Sequence, residues 1–129
     1  MEKGTDILIV GAGPAGMVCA VTARKYYPDK RITVIRNVKK GVVPCGIPYM
    51  FSSLKDPEEN KTGTAALEKK GISVILSRVT GIDRAERTVT MDGGGSLGYE
   101  KLVLATGSAP IIPPIPGVDK KGIYPIYKE

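Results

Sequence analysis

Short runs of consecutive apolar residues mark the first half of the chain. Residues 6–10, 31–35 and 72–76 are rich in Ile, Val and Leu, and turn-forming residues bound each run. Runs of this length and composition are typical of strands that are buried on both faces of a sheet. We therefore predict a parallel strand at each of the three positions.

The residues between these runs predict helices. Residues 14–27 favour a helix that Pro28 and Asp29 end. Together with the flanking strands this helix forms a βαβ unit, whose crossover makes the two strands parallel. Residues 44–51 are expected to open a short helix, residues 64–70 predict another, and the polar residues 55–61, which include Pro57, predict a surface loop.

The hydrophobic pattern changes after Arg78. Apolar residues then alternate with polar ones, which predicts an antiparallel meander with a hairpin loop at 92–95. Residues 101–105 predict a last buried strand, and four prolines within 110–116 predict a semi-rigid exit segment. The fold class expected is α/β, a Rossmann-like domain with a parallel sheet and a small antiparallel meander.

Composition and charge exclude several classes of function. The 19 basic and 13 acidic residues give a net charge of +6, but the basic residues are scattered and no aromatic residues lie among them. We therefore expect no nucleic-acid partner. With no His and two Cys we expect no metal site. No apolar run approaches the ~20 residues of a membrane helix, and no signal peptide is visible, so we expect no membrane partner and a cytoplasmic protein.

A glycine-rich motif joins the first predicted strand to the first helix. In residues 11–16, Gly11 permits a tight turn, Gly13 lets the backbone approach a pyrophosphate, and Gly16 lets the helix pack closely on the strand. The amide groups at the start of the helix then face the phosphates. This context predicts a dinucleotide site.

The motif alone does not separate FAD from NADP. Arg36 follows the second predicted strand, and an arginine there suits the 2′-phosphate of NADP. The strand that ends at Ala105, followed by Thr106 and Gly107, can approach a ligand closely and favours FAD, as does Cys45. A third hypothesis is a non-catalytic binding domain that uses its basic surface, but it leaves the glycine turn unexplained.

The second candidate for chemistry is Cys45, which lies between a proline and a glycine where a short helix begins. The positive end of a helix stabilises a thiolate, as the lysines at 39–40 would if they lie close. Such a thiolate attacks a disulfide or is oxidised to a sulfenic acid. The alternative is a small apolar side chain in a core, which we expect for Cys19. Spacing alone leaves both roles of Cys45 open.

Four segments together resemble the pyridine nucleotide–disulfide oxidoreductases. They are the glycine turn, residues 32–35, residues 44–49 (Pro-Cys-Gly-Ile-Pro-Tyr), and residues 102–110 (Leu-Val-Leu-Ala-Thr-Gly-Ser-Ala-Pro). The chain is most similar to the single-cysteine branch of that family, which contains coenzyme A–disulfide reductases, NADH oxidases and NADH peroxidases. The resemblance covers nearly the whole chain.

The resemblance implies FAD as cofactor and NAD(P)H as electron donor. It implies that Cys45 lies near the flavin ring, receives the electrons and passes them to a disulfide, peroxide or oxygen. Arg36 stands where the family usually has an acidic residue, so it stacks on the adenine, reaches a phosphate or is a solvated charge. The remaining residues implied to contact FAD are Gly11, Gly13, Pro14, Ala15, Gly16, Val79, Ala105, Thr106 and Gly107.

The resemblance also implies a domain assignment. Family members continue with an NAD(P)H domain, a segment that completes the FAD domain, and a dimerisation domain. Residues 1–129 would thus be the N-terminal segment of an FAD-binding domain, inactive alone and part of a homodimer when full length. Gly41 and Pro44 stand where coenzyme A–disulfide reductases often have Ser and Asn, so coenzyme A is not predicted as the substrate.

Overall fold

The computed structural model describes residues 4–127 of the 129-residue chain. The strands are β1 (Thr5–Val10), β2 (Ile32–Arg36), β3 (Gly41–Val42), β4 (Lys61–Thr62), β5 (Ser73–Leu76), β6 (Val79–Asp83), β7 (Thr88–Met91) and β8 (Ser96–Leu104). The α-helices are α1 (Pro14–Tyr26), α2 (Ile47–Met50) and α3 (Ala65–Glu68), and 3-10 turns lie at Pro44–Gly46 and Pro57–Asn60.

One six-stranded sheet, in the order β5-β2-β1-β8-β7-β6, carries the fold. Strands β5, β2, β1 and β8 are parallel to one another, whereas β6, β7 and β8 form the antiparallel meander. The predicted Rossmann-like α/β arrangement with a meander is therefore confirmed. Strands β3 and β4 form a separate two-stranded ladder.

Strand β8 is longer than predicted because it belongs to both parts of the sheet. Its first residues pair with β7, with Leu97 opposite Val89. Further along, the same strand pairs with β1, from Tyr99 opposite Thr5 to Leu104 opposite Val10. The predicted strand at 101–105 is thus only the second half of a nine-residue strand.

The core has two parts because β1 and β2 are covered on both faces. The first cluster lies under the helices and contains Ile9, Ala20, Ile32, Val34, Leu67 and Ile72. The second lies against the meander and contains Leu8, Val10, Ile35, Val89 and Leu97. Cys19 packs against the first cluster, as expected. The prediction of a buried last strand was wrong at the end of β8, where Leu104 is 59% exposed. The predicted third parallel strand is present as β5, at the edge of the sheet.

The segment predicted as a surface loop is more ordered than expected. Asp56 caps the 3-10 turn, and Glu59 completes a reciprocal capping box. The turn leads into β4, which pairs with β3, and Glu58 forms ion pairs with Lys40 and Lys61. The third helix is shorter than predicted, although Gly71 (φ 66°) ends this segment as expected. Within residues 4–127, no helix has both the length and the apolar character needed to span a bilayer.

An acidic side chain fixes the start of β2 beside β1. The Asp6 carboxylate accepts a hydrogen bond from the Arg31 backbone N–H at 2.6 Å and pairs with the Arg31 guanidinium at 3.4 Å. The backbone hydrogen bond, followed by the side-chain one, lowers the pKa of Asp6. The charged carboxylate is therefore favoured in the folded state over the unfolded one.

Replacing Asp6 by Asn should lower the urea midpoint of unfolding at pH 7, because the charged acceptor is lost. A carboxyl group whose pKa is lowered on folding stabilises the protein above its unfolded pKa, and this contribution is lost as the pH falls through the folded pKa. The difference between the variant and the wild type should therefore shrink below about pH 4. The exposed Asp119, replaced by Asn, is the control, and equal midpoints for Asp6→Asn and wild type at pH 7 would contradict the prediction.

Candidate functional site

A cleft of about 990 Å³ opens at the carboxyl ends of the central parallel strands. The cleft lies beyond the end of β1, which has β2 on one side and β8 on the other. The strands that follow β1 in the sheet therefore lie on opposite sides of it, which makes this a topological switch point. Open α/β sheets bind ligands at such switch points, outside the carboxyl ends of the strands. The volume is at the upper end of the range of about 300–1,000 Å³ for small-molecule sites, which gives room for an extended ligand.

The glycine turn forms the base of this cleft. Gly11 has a φ of 107°, and a Cβ built on it would overlap the carbonyl group of Ala105. A Cβ on Gly16 would overlap the carbonyl oxygen of Gly11. These two glycines therefore let α1 and the ends of β1 and β8 lie in direct backbone contact, as predicted from the motif.

Gly13 has a different environment from the other two glycines. It is the N-cap residue of α1 with an ordinary φ of −72°, and no atom of residues 4–127 lies within 4 Å of a Cβ built on it. No side chain caps the helix at this end, and Pro14 lies in its first turn. The first amide groups of a helix need partners, and an N-terminus attracts anions. The open space beside Gly13 is thus suited to a phosphate group.

The structure brings most of the predicted contact residues together around one cleft. Gly16 lies behind the lining, where α1 packs against the glycine turn. The predicted residues that line the cleft are Gly11, Gly13, Pro14, Ala15, Arg36, Val79, Ala105, Thr106 and Gly107.

Arg36 is the most unusual side chain of the cleft wall. It ends β2 and is only 4% exposed, so the alternative of a solvated charge was wrong. Its three guanidinium nitrogens are buried, and none has a hydrogen-bond partner in the part of the chain that the structure describes. Burial lowers the pKa of Arg36. Gly41 leaves space beside the guanidinium, because a Cβ on Gly41 would lie 3.0 Å from Nη2.

Cys45 lies at the edge of the cleft without lining it. It is a free, exposed thiol within the 3-10 turn that precedes α2. Its neighbours Pro44 and Ile47 line the cleft, but Cys45 is not among the described residues that do so. The ammonium of Lys40 bonds to Glu58 at 3.1 Å, so its charge is already paired. The redox role of Cys45 stays a prediction.

Asn60 holds the cysteine turn and was not identified from the sequence. It is 7% exposed, and its Nδ2 donates to the Val43 carbonyl at 3.0 Å and lies 3.2 Å from the sulfur of Met50. Its own backbone carbonyl accepts from the Val43 N–H at 3.0 Å. A Cβ on Gly46 would overlap the Asn60 amide. A lone Asn in a polar stretch gives no sequence signal, since its burial follows from the pairing of β3 with β4.

Comparisons with known proteins agree with this geometry. Residues 5–127 match the family model described as pyridine nucleotide-disulphide oxidoreductase. A NADH oxidase from Methanocaldococcus jannaschii is 35% identical over 128 residues, which cover 92% of this chain and 29% of that protein. Among solved structures, a NAD-dependent persulfide reductase from A. fulgidus superposes with a TM-score of 0.80 and 31% identity over 91% of this chain and 24% of that one.

A water-forming NADH oxidase from Lactobacillus brevis, solved with bound NADH, gives a TM-score of 0.79 and 29% identity over 91% of this chain and 28% of that one. The chain thus spans less than a third of the length of these three proteins.

Among residues 4–127, no group of three or more His, Cys, Asp or Glu side chains is placed to hold a metal ion.

The contact between Gly46 and Asn60 can be tested with a double-mutant cycle. Gly46→Ala should destabilise the protein by about 1–3 kcal/mol, because the new methyl group meets the buried amide. In an Asn60→Ala background the same change should cost clearly less, since the obstructing amide is gone. Urea unfolding of the four proteins gives the coupling free energy. Additive single-variant effects would show that Asn60 does not restrict position 46.

Proposed function

Because this chain belongs to the pyridine nucleotide-disulphide oxidoreductase family, we propose that its cleft binds FAD and that the protein is a flavin-dependent NAD(P)H oxidoreductase. The observation that carries the proposal is the open space beside Gly13 at the uncapped start of α1. A diphosphate placed there would receive the amide hydrogens of the helix, and no side chain would obstruct it.

The residues present fit a flavin dinucleotide. Gly11, Gly13, Pro14 and Ala15 surround the proposed phosphate position, and Gly16 keeps α1 close enough to form it. On the far side of β1, Ala105, Thr106 and Gly107 line the same cleft, and their small side chains leave room for a ligand. Val79, at the start of β6, would meet the adenosine half.

When bound, FAD would take two electrons from NAD(P)H and make them available to a neighbouring acceptor. The Cys45 thiolate would attack the O–O bond of a peroxide, giving a sulfenic acid and an alcohol or water. Alternatively it would attack the S–S bond of a disulfide, giving a mixed disulfide and a free thiolate. Two electrons and two protons would reduce the sulfenic acid to the Cys45 thiol with release of water. The same number would reduce the mixed disulfide to the Cys45 thiol with release of the second thiol.

The proposed acceptors are a small disulfide, a peroxide or oxygen. Relatives named as a persulfide reductase and a water-forming NADH oxidase support this range. We assign residues 1–129 to the N-terminal segment of the FAD-binding domain. We place the protein in the cytoplasm, where the free thiols Cys19 and Cys45 would stay reduced at rest.

Gly13→Ala should abolish or strongly weaken FAD binding and leave folding intact. Among residues 4–127 no atom lies within 4 Å of the added Cβ, and residue 13 has an ordinary φ, so the methyl group obstructs only the proposed diphosphate. Flavin absorbance of the purified protein measures binding, and thermal unfolding measures stability. Gly16→Ala is the contrasting variant, because its Cβ overlaps Gly11 and should lower stability as well. A Gly13→Ala protein that retains FAD normally would refute the proposed phosphate position.

Cys45→Ser should leave FAD binding unchanged and remove NAD(P)H-dependent reduction of peroxide or disulfide by at least about 100-fold, because a serine hydroxyl replaces the proposed nucleophile. Turnover is followed as NAD(P)H consumption in the full-length protein. Cys19→Ser, within α1, is the matched control and should keep its turnover. Normal turnover of Cys45→Ser with every acceptor would remove the thiol from the mechanism.

A further inference from the structure

We infer that Arg36 is the anion-recognition residue of this cleft, and that its guanidinium binds a phosphate group of the dinucleotide. The inference rests on the proposed dinucleotide site and deepens it. In dinucleotide-binding domains, an acidic residue at the end of the second strand usually recognises the ribose. This chain has Arg36 at that position.

The first step is the burial of an uncompensated charge. Arg36 is only 4% exposed. Its Nε, Nη1 and Nη2 atoms have no hydrogen-bond partner among residues 4–127. A buried guanidinium without hydrogen bonds is strongly unfavourable, and arginine does not escape the penalty by releasing its proton at ordinary pH. A buried polar group of this kind calls for a partner, and the described part of the chain does not supply one.

The second step is that no carboxylate of residues 4–127 forms an ion pair with Arg36. The ion pairs of the described residues join Lys30 to Glu100, Arg31 to Asp6, and both Lys40 and Lys61 to Glu58. None of them involves Arg36. Desolvation is the cause of its pKa shift, with no opposing contribution from an acidic neighbour. The missing anion therefore has to come from outside residues 4–127.

The third step is the position of Arg36 on the cleft wall. It ends β2, 20 positions after Gly16, which is where Rossmann-type sites contact the adenosine end of a dinucleotide. Gly41 places no side chain against the guanidinium, where a Cβ would lie 3.0 Å from Nη2. The planar fork of arginine matches two phosphate oxygens at once. The anion is either the bridging diphosphate or a 2′-phosphate on the adenosine ribose.

Calorimetric titration of wild type and Arg36→Gln with three compounds tests the inference. ADP carries the diphosphate, adenosine 2′,5′-bisphosphate carries the 2′-phosphate, and adenosine carries neither. Arg36→Gln should lose at least about tenfold in affinity for a phosphorylated compound and less than about twofold for adenosine. Loss with ADP identifies the diphosphate, and loss with the bisphosphate alone identifies the 2′-phosphate and favours NADP. Arg84→Gln, in the exposed turn of the meander, controls for net charge.

A second readout does not depend on nucleotide affinity. Arg36→Met removes the unpaired charge and keeps an apolar side chain of similar length, so its thermal midpoint without ligand should rise above that of wild type. Inorganic pyrophosphate should raise the midpoint of wild type and leave that of Arg36→Met unchanged. Equal shifts of the thermal midpoint in both proteins would overturn the inference. So would an unshifted wild-type midpoint, if calorimetry also shows that wild type binds the phosphorylated compounds no more tightly than adenosine.

The two proposals fail in different ways. If the wild-type protein binds no flavin but its affinity for ADP or the bisphosphate depends on Arg36, the flavin assignment is wrong and the anion assignment stands. If wild type and Arg36→Gln bind FAD and all three nucleotides equally well, the anion assignment is wrong and the flavin assignment stands.

Discussion

The close approach of α1 to the ends of β1 and β8 is the constraint on which the cleft depends. It requires Gly11 in a left-handed conformation against Ala105, and Gly16 against the carbonyl oxygen of Gly11. Once the backbones meet there, the uncapped end of the helix is directed at the space beside Gly13. A side chain at either of the two packed glycines would separate the helix from the sheet and move its amide groups away from the cleft.

Strand β8 connects this constraint to the rest of the domain. Its first half closes the meander and its second half pairs with β1, so the same strand carries Ala105–Gly107 to the glycine turn. The meander also places Val79 at the cleft. The antiparallel strands therefore belong to the site and are not merely attached to the edge of the parallel sheet.

The elements set by local sequence were predictable, and those set by long-range pairing were not. The apolar runs of β1 and β2 and the glycine turn are short-range patterns, and the structure has them where expected. The length of β8 depends on two partners that lie far apart in sequence. The burial of Arg36 and Asn60 likewise depends on how residues 36–62 fold back on themselves, which leaves no periodic signal in the sequence.

The amide groups of the glycine turn can be observed directly. In ¹⁵N-labelled protein titrated with FAD, the proposed diphosphate position predicts that the largest amide shifts fall at Gly13, Ala15 and Gly16, which lie at the start of α1. The amides of Arg84 and Ala85, in the exposed turn between β6 and β7 and outside the cleft lining, should remain unchanged. Saturable FAD binding that leaves the amides of the glycine turn unperturbed would contradict the central claim.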